Sequence, residues 1–169
     1  MKIFIAGARA IKTLPKVVED RLNNIQQRHY SVIIGDADGI DKAVQTYYFN
    51  SKYQDVTVYA SNGKTRNNVG SWKTKAISVA DNVKGFEFYS MKDKQMAFDA
   101  DYGFMIWNGK SRGTYNNIVN LVEQGKTSLV FLTIIHRFFV VKSKKDLGEI
   151  TSLVSNPCSN ESYEQLTIF

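Results

Sequence analysis

Short apolar runs alternate along the chain with stretches of helical periodicity. KIFIA (2–6) ends at Gly7 and predicts a first strand. Pro15 then stands near the start of a helix whose inward face is Val18, Leu22 and Ile25. SVII (31–34) predicts a second strand ending at Gly35. Ile40, Ala43, Val44, Tyr47 and Tyr48 follow at i, i+3, i+4, i+7 and i+8, one face of a helix. VTVYA (56–60) reads as a third strand, closed by the turn-prone Asn62-Gly63. Between 64 and 87 the pattern weakens. KTRNNVGS reads as a loop, Trp72, Ala76, Val79 and Ala80 predict one short helix, and FEFY (86–89) a short strand. Ser90 with Asp93 three residues on matches a capping box opening a helix through Ala100. YGFMIW (102–107) predicts a buried strand, and Tyr115, Ile118, Val119 and Val122 a helix stopped at Gly125. SLVFLTII (128–135) and RFFVVK (137–142) are two further strands, and beyond 142 come a short amphipathic helix and a polar tail.

Strands alternating with helices imply parallel strands joined by crossover helices. The expected fold is α/β, a three-layer sandwich with a mostly parallel sheet. The near-continuous apolar runs fit strands buried on both faces. Residues 1–141 form the expected domain and 142–169 a C-terminal helix and tail. With 169 residues, 43% of them apolar and 22% charged, the chain fits one ordinary globular domain. A formal net charge of +6 favours anionic partners and says nothing about fold. Cys158 is the only cysteine, so no intrachain disulfide forms, and a reducing compartment is expected. MKIFIAGARA lacks the length and cleavage site of a signal peptide, and no run reaches the roughly 20 apolar residues of a membrane span. We expect a cytoplasmic protein without a membrane partner.

In open parallel sheets, ligands bind where strand carboxyl ends open into helix N-termini. Three such junctions carry suggestive residues: Gly7-Ala8-Arg9, Gly35-Asp36-Ala37-Asp38-Gly39, and Asn108 to Thr114. Each can present backbone amides to an anion, with Arg9, Lys110 and Arg112 adding charge. Two other motifs fail on spacing. Gly109-Lys110-Ser111 resembles the end of a Walker A loop, but Phe104 stands where its first glycine belongs. Asp36-Ala37-Asp38-Gly39 reaches its glycine too soon for a calcium loop, and Tyr47 replaces the terminal glutamate. His29 and His136 lack partners at metal-ligand spacing and read as structural, so neither a metal nor a cofactor is expected. Asp93 reads as a cap, Lys92 as a solvated first-turn charge, and Asp41 as favourable to its helix dipole. Trp107 either finishes a buried strand or stacks on a base.

GDADGIDKAVQTYY and KDKQMAFDADYGFMIWNGKSRGTYNNIVNLVEQGK resemble the YspA/YpsA-like branch of the SLOG superfamily, named for the DprA/SMF and LOG proteins. The resemblance covers roughly 1–141 and is most specific over 99–125. It implies a Rossmann-like fold that binds nucleotides or nucleotide-derived ligands, with a homodimer by analogy. Carried over by position, Gly7, Ala8 and Arg9 border the site, and Gly35, Asp36, Gly39 and Asp41 form a first phosphate-side loop. Gly109, Lys110, Ser111, Arg112, Gly113 and Thr114 form the second. Two departures stand out. Asp36 and Asp38 occupy places where members often have small or basic residues. Asn117 stands where LOG enzymes, which release a base from a nucleoside monophosphate, carry a glutamate. An amide can hydrogen-bond a ribose hydroxyl or base edge but cannot stabilise an oxocarbenium-like state. Binding, in a sensor role, is therefore favoured over N-glycosidase catalysis, which would need Asp36, Asp41 or Asp93 to supply the carboxylate. Nucleic acid is the least favoured partner, because Lys and Arg are spread along the chain and the aromatics hold core-like positions.

Overall fold

A computed structural model describes residues 1–155; Cys158 and the polar tail lie outside the described residues. The strands are β1 (Lys2–Gly7), β2 (Ser31–Ile34), β3 (Val56–Ser61), β4 (Lys73–Ile77), β5 (Tyr102–Trp107), β6 (Ser128–Leu132) and β7 (Arg137–Val141). The helices are α1 (Lys16–Gln27), α2 (Ile40–Asn50), α3 (Gly85–Asp99), α4 (Arg112–Glu123) and α5 (Lys144–Ser155). The strands form one sheet in the order β4-β3-β2-β1-β5-β6-β7. All neighbours are parallel except β7, which runs antiparallel to β6 with Leu132 opposite Arg137.

The central strands divide their side chains between two apolar layers. Ile3 and Ile5 of β1, Phe104 and Ile106 of β5, and Leu129 and Phe131 of β6 face α1 and α2. Phe4 and Ala6, Met105 and Trp107, and Val130 and Leu132 face α3, α4 and α5. Both faces are thus covered, which is why these strands read as unbroken apolar runs. Phe4, Phe104 and Phe131 are fully buried, and truncating one of them to alanine costs about 3–5 kcal/mol. The fold is the expected α/β, Rossmann-like three-layer sandwich with a mostly parallel sheet.

Four local expectations are corrected. Residues 72–80 form no helix. Trp72 is a core residue whose Nε1 donates to Tyr53 O at 3.0 Å, and Lys73–Ile77 is a strand pairing with β3. As the exposed sheet edge, β4 carries little apolar alternation, and the helical spacing of Trp72, Ala76, Val79 and Ala80 is coincidental. FEFY is no strand but the opening of α3, whose N-cap is Lys84. Ser90 and Asp93 accordingly lie inside that helix instead of forming its cap, and Ser90 Oγ donates to Glu87 O at 2.8 Å. Finally, β6 stops at Leu132, and Ile134 of the following turn is 45% exposed, so the apolar run outlasts the strand.

Candidate ligand-binding cavity

From β1 the chain order proceeds one way through β2, β3 and β4, and the other way through β5 and β6. In open parallel sheets the crevice for a ligand forms at such a reversal, beyond the strands' carboxyl ends. A cavity of about 740 Å3 lies there. Gly7, Ala8 and Arg9 line it from the end of β1, Ala37 and Asp41 from beyond β2, and Arg66 from beyond β3. Asn108, Lys110, Ser111, Arg112, Gly113, Thr114 and Asn117 line it from the end of β5. Phe86, Tyr89, Ser90, Lys92, Asp93 and Met96 of α3 close the remaining side.

The loop from β5 into α4 is held largely from within. Asn108 Oδ1 accepts from the amides of Lys110 and Ser111 at 3.1 and 2.9 Å. Ser111 is the N-cap of α4, its Oγ accepting from Thr114 N at 3.3 Å. Trp107 Nε1 donates to Ser111 O at 3.1 Å, and its ring packs on Tyr115. The amides of Lys110, Ser111 and Thr114 are therefore committed to the protein. Those of Arg112 and Gly113, the first two residues of α4, have no acceptor among the described residues. A Cβ built on Gly113 would meet nothing within 4 Å, so this turn faces open space. Its position at a helix N-terminus suits an anion.

Side-chain charge is divided into two groups. Arg9, Lys110 and Arg112 form no ion pair among the described residues. Arg112 lies over the Phe86 ring at 4.4 Å from its centroid. Arg66 and Arg9 lie over Tyr89 at 4.6 and 5.2 Å. Behind them sits a buried cluster. Arg66 Nη2 meets Asp36 Oδ1 at 2.7 Å, while Arg66 Nε and its own amide donate to Oδ2. Lys92 Nζ lies 3.0 Å from Asp93 Oδ1 and 3.9 Å from Asp36 Oδ1. Asp41 Oδ2 accepts from Ala37 N at 3.2 Å. Gly35 leaves the room for this cluster, since a Cβ there would collide with the Asp41 carboxylate and with Lys92 Nζ.

Ionisation in the cluster follows from burial and proximity. Burial pushes the Asp41 carboxyl up to about 6, aided by Asp93 and Asp36, with Lys92 opposing. Burial also penalises the Asp36 carboxylate, but Arg66 and Lys92 outweigh it and hold that group below the ordinary range. Lys92 is pulled down by desolvation, yet Asp93, Asp41 and Asp36 together hold its ammonium above the ordinary value.

Several sequence expectations are thereby sorted. Gly7, Ala8, Arg9, Asp41, Asp93, Lys110, Ser111, Arg112, Gly113, Thr114 and Asn117 come together around one cavity. Gly35, Asp36, Gly39, Trp107 and Gly109 do not line it. Asp36 is 2% exposed and engaged by Arg66, so its loop turns a neutralised carboxylate inward instead of offering a phosphate cradle. Gly39, at φ 79°, passes against the Arg9 backbone, a close approach that a side chain would block. Gly109 packs toward Val154 of α5 and Ile134. Of the two readings for Trp107, the buried strand end holds: it is 3% exposed and braces Ser111. Lys92 is no solvated charge, being 3% exposed among carboxylates, because the true start of α3 at Gly85 turns it inward. Arg66, Phe86, Tyr89 and Lys92 also line the cavity, a place the sequence reading did not give them. Phe86, Tyr89, Ser90, Asp93 and Met96 do fall at helical spacing, the signal that marks the lining face of α3.

The sequence matches no protein-family model and no curated protein. Among solved structures, the chain is similar to the X-ray structure of DNA processing protein A (DprA) from Streptococcus pneumoniae. The TM-score is 0.57 at 12% sequence identity over 88% of this chain. The chain spans 60% of the length of that structure. At this identity the likeness is one of fold, and the fold of this chain is Rossmann-like and DprA-like.

Proposed function

We propose that the protein binds a nucleotide or nucleotide-derived small molecule, its phosphate resting on the first turn of α4. The observation that carries this reading is the pair of amides at Arg112 and Gly113, unpartnered among the described residues, in the wall of the cavity beside three cations without ion-pair partners among those residues. Backbone donors, helix dipole and guanidinium charge converge on one spot, the combination that holds phosphate groups. The Phe86 and Tyr89 rings add flat apolar surface within the same walls. A sensor or carrier role fits a cavity whose cations outnumber its accessible carboxylates.

The test is thermal unfolding with AMP, NAD and ADP-ribose. A ligand at 100 times its Kd adds about 2.7 kcal/mol, which shifts the melting of a chain this size by roughly 5–10 °C. We expect such a shift for at least one of these ligands and its loss in Arg112→Ala. Unchanged melting at millimolar concentrations of all three would remove the proposal.

A second reading is supported by Asp41 and Asp93, which line the same cavity as Asn117. Either could supply the carboxylate that Asn117 lacks for N-glycosidic hydrolysis, in which water adds its hydroxyl to ribose C1′ and the base leaves with the proton. This reading predicts free base accumulating from a nucleotide and at least a hundredfold slower release in Asp93→Asn. Intact nucleotide after prolonged incubation would exclude it.

A further inference from the structure

A smaller recess of about 280 Å3 continues from the main cavity between α3 and α4. The two hollows share Phe86, Ser90, Asp93, Gly113 and Asn117. Their chemistries differ. The main cavity holds Arg9, Arg66, Lys110 and Arg112, whereas the recess is lined by the carboxamides of Asn116, Asn117 and Asn120, with Asp93 opposing Lys94. Carboxamides without the arginines of the main cavity suit a neutral group with both donors and acceptors. The recess volume is several times a water molecule's share of liquid volume, about 30 Å3.

Asn117 stands at the junction. It is 4% exposed, and its Oδ1 is buried without a hydrogen-bond partner. Of the three buried side-chain atoms in that condition among the described residues, the others being Gln26 Oε1 and Ser128 Oγ, it alone lines this cavity. A buried amide oxygen left unpaired is costly to the ligand-free fold. Two neighbouring polar groups of the recess are already engaged: Ser90 Oγ donates to Glu87 O, and Asp93 holds Lys92. Phe86 marks the boundary with the phosphate side, its ring carrying the Arg112 guanidinium. From this arrangement we infer that the recess takes the nucleobase of the ligand and that the Asn117 carboxamide reads its hydrogen-bonding edge, making Asn117 a specificity-determining residue. The inference rests on the phosphate site at α4 and adds to it the place and chemistry of the base.

Calorimetric titration of AMP, GMP, CMP, UMP and ribose 5-phosphate separates the two ideas. All five carry the same phosphate, and only the first four carry a base. The expected result is that ribose 5-phosphate binds, and that the preferred nucleotide binds about tenfold more tightly, the worth of one neutral hydrogen bond. Asn117→Leu, of the same branching and heavy-atom count, should abolish that advantage, the preferred nucleotide then binding no more tightly than ribose 5-phosphate. Its ligand-free melting temperature should be unchanged or raised, because an unpaired polar group has been removed. Asn117→Ala, which adds no bulk, should show the same loss of discrimination, so a packing fault in the leucine variant cannot mimic it. Equal affinity for all five ligands, or a base preference surviving in both variants, would overturn the inference and leave the phosphate site standing. Binding of none of the five would overturn the phosphate site and the base recess together.

Discussion

Asp41, Asp93, Lys92 and Arg66 in the cavity wall, with Asp36 behind it, place three carboxylates against two cations, so their ionisation is coupled to what the cavity holds. Asp41 titrates in an unusual window. Its folded pKa of about 6 lies above the ordinary carboxyl value of 3.8, so the unfolded chain gives up this proton first. The stability that the neutral carboxyl confers is full below the ordinary value and is lost as pH rises through about 6. Asp41→Asn should therefore gain on the wild type by ~1–3 kcal/mol between pH 4 and 6.5, measured by denaturant unfolding. A constant difference across that range would contradict the placement of the group. The same titration bears on ligand binding. Below pH 6 the cavity loses a negative charge, so affinity for ADP-ribose, whose phosphates do not titrate there, should rise. Arg66 offers a complementary test. Removing its side chain leaves Asp36 buried with the backbone amide of residue 66 at 3.0 Å and Lys92 at 3.9 Å. Since the Arg66 side chain is 35% exposed, water can partly replace it, and Arg66→Ala should cost about 2 kcal/mol. Unaltered stability would show that the pair carries no structural weight.

At the scale of elements, the β5–α4 junction and α3 make the site, and they were unequally legible. YGFMIW is an apolar strand buried on both faces, Gly109 to Thr114 breaks the pattern, and Ile118 and Leu121 supply a buried helix face. Each signal is local, so strand, loop and helix could be read to within a few residues. α3 was misread at its start because Phe86 to Tyr89 is a compact aromatic run, which by propensity resembles a strand. Phe86 and Tyr89 turn toward a cavity instead of a sheet, a tertiary circumstance the sequence does not encode locally. β4 failed for a related reason, being an edge strand with no apolar face to alternate. The Ser111 cap gives the junction a direct test. Ser111→Ala removes the acceptor for Thr114 N and Thr114 Oγ1 and should cost about 1 kcal/mol of stability, with weakened nucleotide affinity. Affinity unaffected by loss of this cap would mean that α4's first turn does not hold the phosphate.

For the whole molecule, the parallel sheet brings four loops from distant parts of the chain to one end, and the reversal between β1 and β5 leaves the space among them. That architecture followed from the alternation of strands and helices. The partners of each charge did not, because Arg66, Asp36 and Lys92 lie far apart in sequence and meet only through the crossovers. The net charge of +6 does not identify the ligand, since the cations at the cavity are few and set inside a hollow. Binding of an oligonucleotide, were it the function, should fall steeply with salt and compete with AMP. We expect oligo(dT) to leave AMP binding unchanged. The most direct measurement is calorimetric titration of AMP, NAD and ADP-ribose into the wild type and Gly113→Asp. The aspartate Cβ has open space and its charge favours the helix N-terminus, so the variant should fold with equal or slightly greater stability. Its carboxylate would nevertheless stand where the phosphate belongs. Binding to the wild type and a loss of at least about a hundredfold in the variant is the predicted result, while equal affinity in both proteins would contradict a phosphate seated on the first turn of α4.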